Sequence, residues 1–459
     1  MHMRPPLLAR AIRLTTLAVM TAPATALAGG FSLNEQSASA MGVANAGVAA
    51  NPENATTVLF NPAGMSQLSG TNMSFGAAVL DIDAKSKQDS ISVTRKNPSV
   101  PVQPATDGGD IADPAVLPNF YLTHELNDNV DVGFGIHAPY GLAADYDNDF
   151  AGRFFADKTE LTAIAFTPSI SVSNGQGLSM GAGLNIMYAE GRLSRYQDLS
   201  DDAGAAAVVL PEPYADIEGD DVGVTFRVGF LYELSESTQF GLTAQTGTEL
   251  ELKGDAEISD VPVPPTYAQT TTLNEKVTVP LAIPESITFG ARHRLTDEVT
   301  VLAGATYARW SRFEELDIIS REANGEITRS SEPGTYITHI TERWKNTWQF
   351  NLGGIWQASP QWAFKAGYAW DESPVDQYVT ARIPSEDRHW LTLGTQWQDI
   401  RNGWTVDAAI GTLIFEDDAE VNDREYTHQN PTEPSSPANY QGTYELSAWS
   451  ASVQVSKAF

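Results

Sequence analysis

The chain has no cysteine. That excludes a disulfide scaffold and a thiolate metal centre, and it is compatible with export. Positive charge is also scarce: 28 Lys and Arg stand against 58 Asp and Glu, for a formal net charge of −30. A chain this acidic lacks the basic surface that nucleic acid requires, so no nucleic-acid partner is expected. Long apolar runs are missing as well. None approaches the roughly 18 residues of a spanning helix, which excludes a helical membrane protein. The length would allow two or three soluble domains, yet no Pro- or Ser-rich linker divides the chain.

What is present begins with a leader. Arg4, Arg10 and Arg13 form a basic start, Leu14 to Met20 a short, mostly apolar core, and Ala26-Leu27-Ala28 a small-residue cleavage site. Residues 1–28 therefore read as a secretory signal peptide, with Gly29 as the first mature residue. Residues 29–70 differ from all that follows. Phe31 to Ala50 is small, Ala-rich and weakly periodic. Asn54 to Ser66 holds an apolar run, Val58 to Phe60, and then Asn61-Pro62-Ala63-Gly64, where the proline should break regular structure. This stretch reads as a compact insert belonging to a large β structure.

From Thr71 onward the dominant signal is alternation with period two. Trp348, Phe350, Leu352 and Trp356 share one face, against Thr347, Gln349, Asn351 and Gly353. Trp362, Phe364, Ala366, Tyr368 and Trp370 oppose Ala363, Lys365, Gly367, Ala369 and Asp371. Trp449, Ala451, Val453 and Val455 oppose Ser450, Ser452, Gln454 and Ser456. Fourteen such strands can be placed, from 71–83 to 442–458, with 130–138, 238–252, 299–313, 338–357 and 403–415 among them. Tight turns follow the even-numbered strands and long connections follow the odd-numbered ones. Short turns on one rim and long loops on the other, with aromatics near strand ends, predict an all-β fold: a 14-stranded antiparallel transmembrane β-barrel formed by residues 71–459. The terminal Phe459 suits an outer-membrane strand end.

Catalytic constellations are weak. Gly177-Leu178-Ser179-Met180-Gly181 matches G-x-S-x-G, but the serine opens a strand and no helix follows, as a nucleophile elbow requires. His124, His137, His293, His339, His389 and His428 show no metal-ligand spacing. Asp145, Asp147 and Asp149 lack the Gly and Glu of a calcium loop, and read as a solvated acidic loop. No catalytic residue, metal or cofactor is expected. Basic residues that reach a lumen carry more information. Arg195 ends the fifth strand, and Lys345 has the parity of Thr347 and Gln349, which turns it inward. Either could hold a carboxylate by a charge-assisted hydrogen bond.

With the barrel in view, the sequence resembles the FadL/TodX family of outer-membrane transporters for long-chain fatty acids and other hydrophobic compounds. The resemblance rests on GGFSLNEQSASAMG at 29–42, FNPAGMS at 60–66, HAPYGL at 137–142 and AGRFFA at 151–156. Its most specific part runs from WKNTWQFNLGG (344–354) through FKAGYAWDESPV (364–375) to RIPSEDRHWLTLG (382–394), with GTYE at 442–445 and Phe459 completing it. It implies that 29–70 is a hatch plugging the lumen, with Asn61, Pro62 and Ala63 at its working turn. It implies a basic site, matched best by Arg195 and Lys345. It implies a gap in the wall at the third strand, where Gly133 and Gly135 are the candidates for the gate. The expected function is passive uptake of hydrophobic molecules, long-chain fatty acids foremost, by a monomer in the Gram-negative outer membrane, in contact with its lipid. The alternatives are uptake of aromatic or aliphatic hydrocarbons and, less favoured, an outer-membrane lipid hydrolase.

Overall fold

The computed structural model describes residues 30–459, apart from 209, 265 and 266; the leader lies outside the described residues. Fourteen strands close into one antiparallel barrel. They are β1 (Thr71–Ser86), β2 (Ala115–Asn127), β3 (Val130–His137 with Gly141–Asp145), β4 (Lys158–Phe166 with Ser169–Ser173) and β5 (Leu178–Tyr196). Then come β6 (Tyr214–Glu233), β7 (Thr238–Gln245 with Thr248–Pro262), β8 (Thr270–Ile283 with Ser286–Arg294), β9 (Val299–Ala308 with Glu315–Ser320) and β10 (Tyr336–Thr341 with Thr347–Gln357). The last are β11 (Trp362–Asp371), β12 (Arg388–Asp399), β13 (Trp404–Phe415 with Ala419–Arg424) and β14 (Asn439–Ala458). β14 returns to β1 in register from Asn72↔Ala458 to Ser86↔Tyr444, which closes the ring.

The wall inverts the burial rule of a soluble protein. Trp348, Phe350, Leu352 and Trp356 are 45–62% exposed, while Ser450, Ser452, Gln454 and Ser456 are buried. Apolar side chains outside and polar ones inside suit a lipid solvent. Tyr307 and Trp348 pack with ring centroids 5.1 Å apart and mark the upper aromatic belt, towards the long loops.

The expected strands are present, but several run further than expected. β7 extends to Pro262, β9 to Ser320 and β13 to Arg424. Above the belt the pattern changes sign. In β7, Leu250, Leu252 and Ala256 are buried while Glu249, Glu251 and Glu257 face out; in β13, Ala419 and Val421 are buried while Glu420 and Asn422 face out. Water, not lipid, bathes the outside there, so polar residues turn outward and the upper lumen becomes apolar.

Residues 31–65 run inside the ring and are almost all buried. This segment is Ala-rich, so polar bonds supply much of its hold on the wall. Ser37 Oγ donates to Gln454 Oε1 (2.9 Å), Asn351 Nδ2 to Ala44 O (2.6 Å) and Thr243 Oγ1 to Phe60 O (3.0 Å). Close approach needs glycine on the wall: a Cβ at Gly353 would stand 2.9 Å from the Cβ atoms of Val43 and Ala46. At the centre, buried Lys365 on β11 reaches Glu53 Oε2 (2.6 Å), Asp407 Oδ1 (3.2 Å) and Ser39 O (3.2 Å).

Candidate functional site

Cavities lined by described residues lie along the lumen, and three bear on transport. The outermost, about 500 Å³, is lined by Arg195 and Arg382 together with Asp423, Phe155, Tyr426 and His428. Arg382 sits in the loop between β11 and β12 and is 3% exposed. Its guanidinium donates to Lys158 O (3.2 Å), Thr159 Oγ1 (3.1 Å) and Ser194 O (3.0 Å), all neutral, and its Nε is buried without a partner. Arg195, at the top of β5, makes only long bonds, 3.4 Å to Phe154 O and 3.4 Å to Thr338 Oγ1. Burial, and then the charge of Arg195 beside it, push the Arg382 pKa down to about 10, so it stays cationic at neutral pH. Among the described residues neither arginine has a carboxylate within ion-pair distance. Two neighbouring guanidiniums met mainly by neutral oxygens form a site suited to an anion.

Thr159, bonded by Arg382, also lines the second cavity, an apolar slot of about 50 Å³. Leu161, Leu193, Ile217, Leu252 and Leu281 wall it, and Phe31 of the N-terminal segment closes one side. Phe31 is clasped edge-on by Trp310 (centroids 4.7 Å), Phe313 (5.8 Å) and Tyr140 (5.8 Å). The third cavity, about 180 Å³, lies beyond the same segment and is lined by Ser32, Leu33, His137, Pro139, Tyr140 and Arg227, among others. Arg227 bonds Gln245, and its Nε is buried without a partner.

This third cavity meets the break in β3. Between His137 and Gly141 the strand leaves the ladder: His137 pairs with Ala165 and Gly141 with Thr162, so β3 has one extra residue, a bulge. The freed backbone turns to the N-terminal segment. Leu33 N donates to Pro139 O (3.1 Å) and Gly141 N to Phe31 O (2.9 Å). Gly133 and Gly135 lie earlier on the strand, away from the break. A Cβ at Gly133 would stand 2.5 Å from Met65 Sδ and 2.6 Å from Val58 Cγ2. Gly135 is less tight, with Tyr121 at 3.0 Å and Val58 at 3.5 Å. These glycines seat Val58 and Met65 against the wall.

Asn61, Pro62 and Ala63 face β4–β6. Asn61 Nδ2 donates to Ala49 O (2.6 Å) and Phe230 O (3.0 Å), its Oδ1 accepts from Ala63 N (3.1 Å), and Pro62 opens the 3₁₀ turn Pro62–Gln67. Lys345 stands apart from the arginines. Residues 342–346 are not strand, and Arg343 is left-handed (φ 44°), so the alternation of Thr347 and Gln349 does not carry back to it. Its Nζ lies 3.1 Å from Glu372 and its side chain is 39% exposed. Ser179 pairs in regular ladder with Ser173, and its Oγ accepts from Ser66 Oγ at 2.7 Å, with no histidine as its bonded partner. Asp145 pairs with Lys158 (3.1 Å) and Asp149 accepts from Thr106 (2.9 Å), so the acidic triplet is divided among separate partners.

Local pattern singles out neither Arg382 nor Phe31 as a site residue, although both lie in the quoted motifs. Arg382 is in a loop, where alternation assigns no direction, and Phe31 gains its role only from a fold that brings residues 310, 313 and 140 around it.

A closed barrel, apolar outside and filled by its own N-terminal segment, defines an outer-membrane transport protein. A family profile described as "Outer membrane protein transport protein (OMPP1/FadL/TodX)" matches residues 19–459, and the chain belongs to that family. It is 27% identical over 398 residues to the long-chain fatty acid transport protein of Salmonella typhi, covering 83% of this chain and 86% of the relative. In fold it is similar to a crystal structure of a Pseudomonas aeruginosa FadL homologue, with TM-score 0.79 at 22% identity over 94% of this chain and 100% of the other. It is also similar to the Pseudomonas putida toluene transporter TodX, with TM-score 0.68 at 17% identity over 95% of this chain and 99% of the other.

Proposed function

We propose that this protein, acting as a monomer, takes up hydrophobic molecules bearing a carboxylate, long-chain fatty acids foremost, by passive passage through the barrel and out sideways into the membrane. The observation that carries the reading is the Arg195–Arg382 pair, two cations with no carboxylate at ion-pair distance among the described residues, at the boundary of an apolar slot. The carboxylate neutralises the pair while the chain enters the slot beside Leu161 and Leu193. There it meets Phe31. Displacing Phe31–Leu33 removes the bonds to Pro139 and Gly141 and joins the slot to the third cavity at the break in β3. A sideways exit there spares an apolar molecule from crossing water. Residues 29–70 serve as the hatch, with Asn61, Pro62 and Ala63 as part of its anchor, and Gly133 and Gly135 keep it close to the wall. The fatty-acid transport named for the Salmonella relative supports the carboxylate reading; the toluene transport named for TodX supports the wider class.

The test compares a long-chain fatty acid with an uncharged hydrocarbon of equal length. Charged hydrogen bonds are worth roughly 1.5–3 kcal/mol, so Arg382→Gln and Arg195→Gln should each weaken fatty-acid binding by about one to two decades. Hydrocarbon binding should hold. Equal losses for both ligands would mean that the arginines shape the cavity and do not read charge. Unchanged binding of both would overturn the site. Hydrocarbon bound as tightly as fatty acid by the unaltered protein would favour hydrocarbons as the natural substrate.

A further inference from the structure

Above the aromatic belt, two acids and two histidines from three parts of the chain converge. β9 and β10 set Asp317 opposite His339 and Glu315 opposite Thr341. His428 comes from the loop between β13 and β14, and its ring stacks on Tyr336 (centroids 3.9 Å, 15°). His339 Nδ1 lies 2.6 Å from Asp317 Oδ1, and His428 Nδ1 lies 2.9 Å from Asp317 Oδ2. Glu315 spans both rings, at 3.8 Å from His339 Nδ1 and 3.6 Å from His428 Nδ1. One donor atom from each of the four residues falls within a span of 4.8 Å.

The neighbours of His339 decide what this cluster is for. Thr341 Oγ1 donates its own proton to Pro431 O (2.8 Å), so it can only accept from His339 Nε2 at 3.0 Å. The Nε2 therefore carries the ring proton, and in the neutral ring Nδ1 presents a lone pair to the Asp317 carboxylate. Two lone pairs at that distance repel, so a neutral ring needs a cation between them, where an imidazolium would place its second ring proton. The His428 nitrogen faces the other oxygen of the same carboxylate. We propose that Glu315, Asp317, His339 and His428 bind a divalent transition-metal ion, with zinc the best-matched species.

Two imidazole nitrogens and two carboxylates suit Zn²⁺, whose bonds of about 2.0–2.2 Å in a tetrahedron put ligand atoms roughly 3.3–3.5 Å apart. The four nitrogen–oxygen separations, 2.6 to 3.8 Å, bracket that spacing. Thr341 supplies the outer hydrogen bond that fixes the tautomer of a metal-bound histidine. Asp317 and His339 are buried, while Glu315 and His428 are about one-third exposed, which leaves an approach for the ion. The ion clamps the loop bearing His428 to the β9–β10 hairpin. That loop also supplies Tyr426, Thr427 and Gln429 to the outer cavity, so the clamp holds the cavity's outer wall in place. This inference does not depend on what the barrel carries.

The experiment strips the purified full-length barrel of metal in detergent and titrates Zn²⁺ against a chromophoric chelator. The unaltered protein should bind one tight equivalent. Outer-shell partners alone are worth about 10–100-fold in affinity, so Thr341→Val should cost roughly tenfold and the double variant His339→Gln/His428→Gln about 100-fold or more. Heat-modifiable gel migration verifies that each variant remains folded. His428→Gln, altered only in a loop, gives the same reading if the double variant fails to fold. X-ray absorption of the zinc-loaded protein should show two imidazoles. Equal tight binding by His428→Gln and the unaltered barrel would overturn the site and point to the remaining histidines. So would no tight equivalent in the unaltered barrel, which would make the cluster a purely protonic histidine–carboxylate network.

Discussion

Lys365 and Arg382 are both buried cations inside one barrel, and their surroundings differ. Lys365 has Glu53 at 2.6 Å and Asp407 at 3.2 Å. Arg382 bonds three neutral oxygens and has the like charge of Arg195 beside it, while the acids that act on it, Asp423, Asp157 and Glu342, do so from beyond ion-pair distance. A buried charge bonded to its counter-charge is a finished joint; a buried charge whose direct bonds are all to neutral dipoles still gains from an anion. The hatch divides in the same way. Its root, Ser37 to Asn61, is tied to the wall by the Lys365 joint, by a bond to Gln454 and by bonds from Asn351 and Thr243. Its tip, Phe31 to Leu33, is held by an aromatic clasp and by backbone bonds to an interrupted strand. On the route proposed above, the root stays and the tip moves.

The sharpest way to break this comparison is Lys365→Ala. Glu53 and Asp407 would lose their cation, and breaking a buried pair from one side costs about 3–5 kcal/mol. Thermal unfolding in detergent should show that loss; a variant as stable as the unaltered barrel would mean that the joint is not structural. Arg382→Gln should be the reverse case, with fatty-acid affinity down by about one to two decades and a smaller loss of unfolding temperature than Lys365→Ala, because it strands neutral acceptors and no buried charge. Gly133→Leu should follow, since its Cβ already meets Met65 and Val58. Overpacking costs about 1–3 kcal/mol, and Gly135→Leu, with looser neighbours, should lie at the low end by the same unfolding assay.

A pH effect comes next. Burial pushes the Glu342 carboxyl up to about 8, against the opposing hydrogen bond from Trp344 Nε1. The folded state therefore holds that proton more tightly than the unfolded chain. Its contribution is fully present below the ordinary carboxylate range and is lost as pH rises through about 8. Glu342→Gln should flatten stability between pH 5 and 8; an unchanged slope would contradict the assignment. The smallest effect is expected at Lys345. Its pairing with Glu372 is partly exposed, so Lys345→Ala should change stability by less than about 1 kcal/mol and leave fatty-acid affinity nearly as it was.

The barrel was legible because lipid outside and polar contacts inside impose period two on segments such as Trp348–Trp356 and Trp449–Val455. The tight turns after the even-numbered strands were legible for the same reason, as the places where that period stops. Strand tops such as Ala419–Arg424 were not, because the sign of the alternation flips where lipid gives way to water. The lumen site was legible only in part. Arg195 ends a readable strand, but Lys345 lies in a break that cancels parity. His339 and His428 meet across 89 residues of sequence, a juxtaposition no local spacing could show. Gly133 and Gly135 were noticed as glycines, yet what they accommodate, Val58 and Met65, depended on where the hatch turns.

The central claim is that the hatch moves at its tip and not at its root. Hydrogen–deuterium exchange, read at residues 31–36 and 39–50 with and without a long-chain fatty acid, tests it most directly. The account predicts that ligand lowers protection at residues 31–36 while residues 39–50 stay protected, and that Arg382→Gln abolishes the change. Protection lost along the whole segment, or lost nowhere, would contradict it.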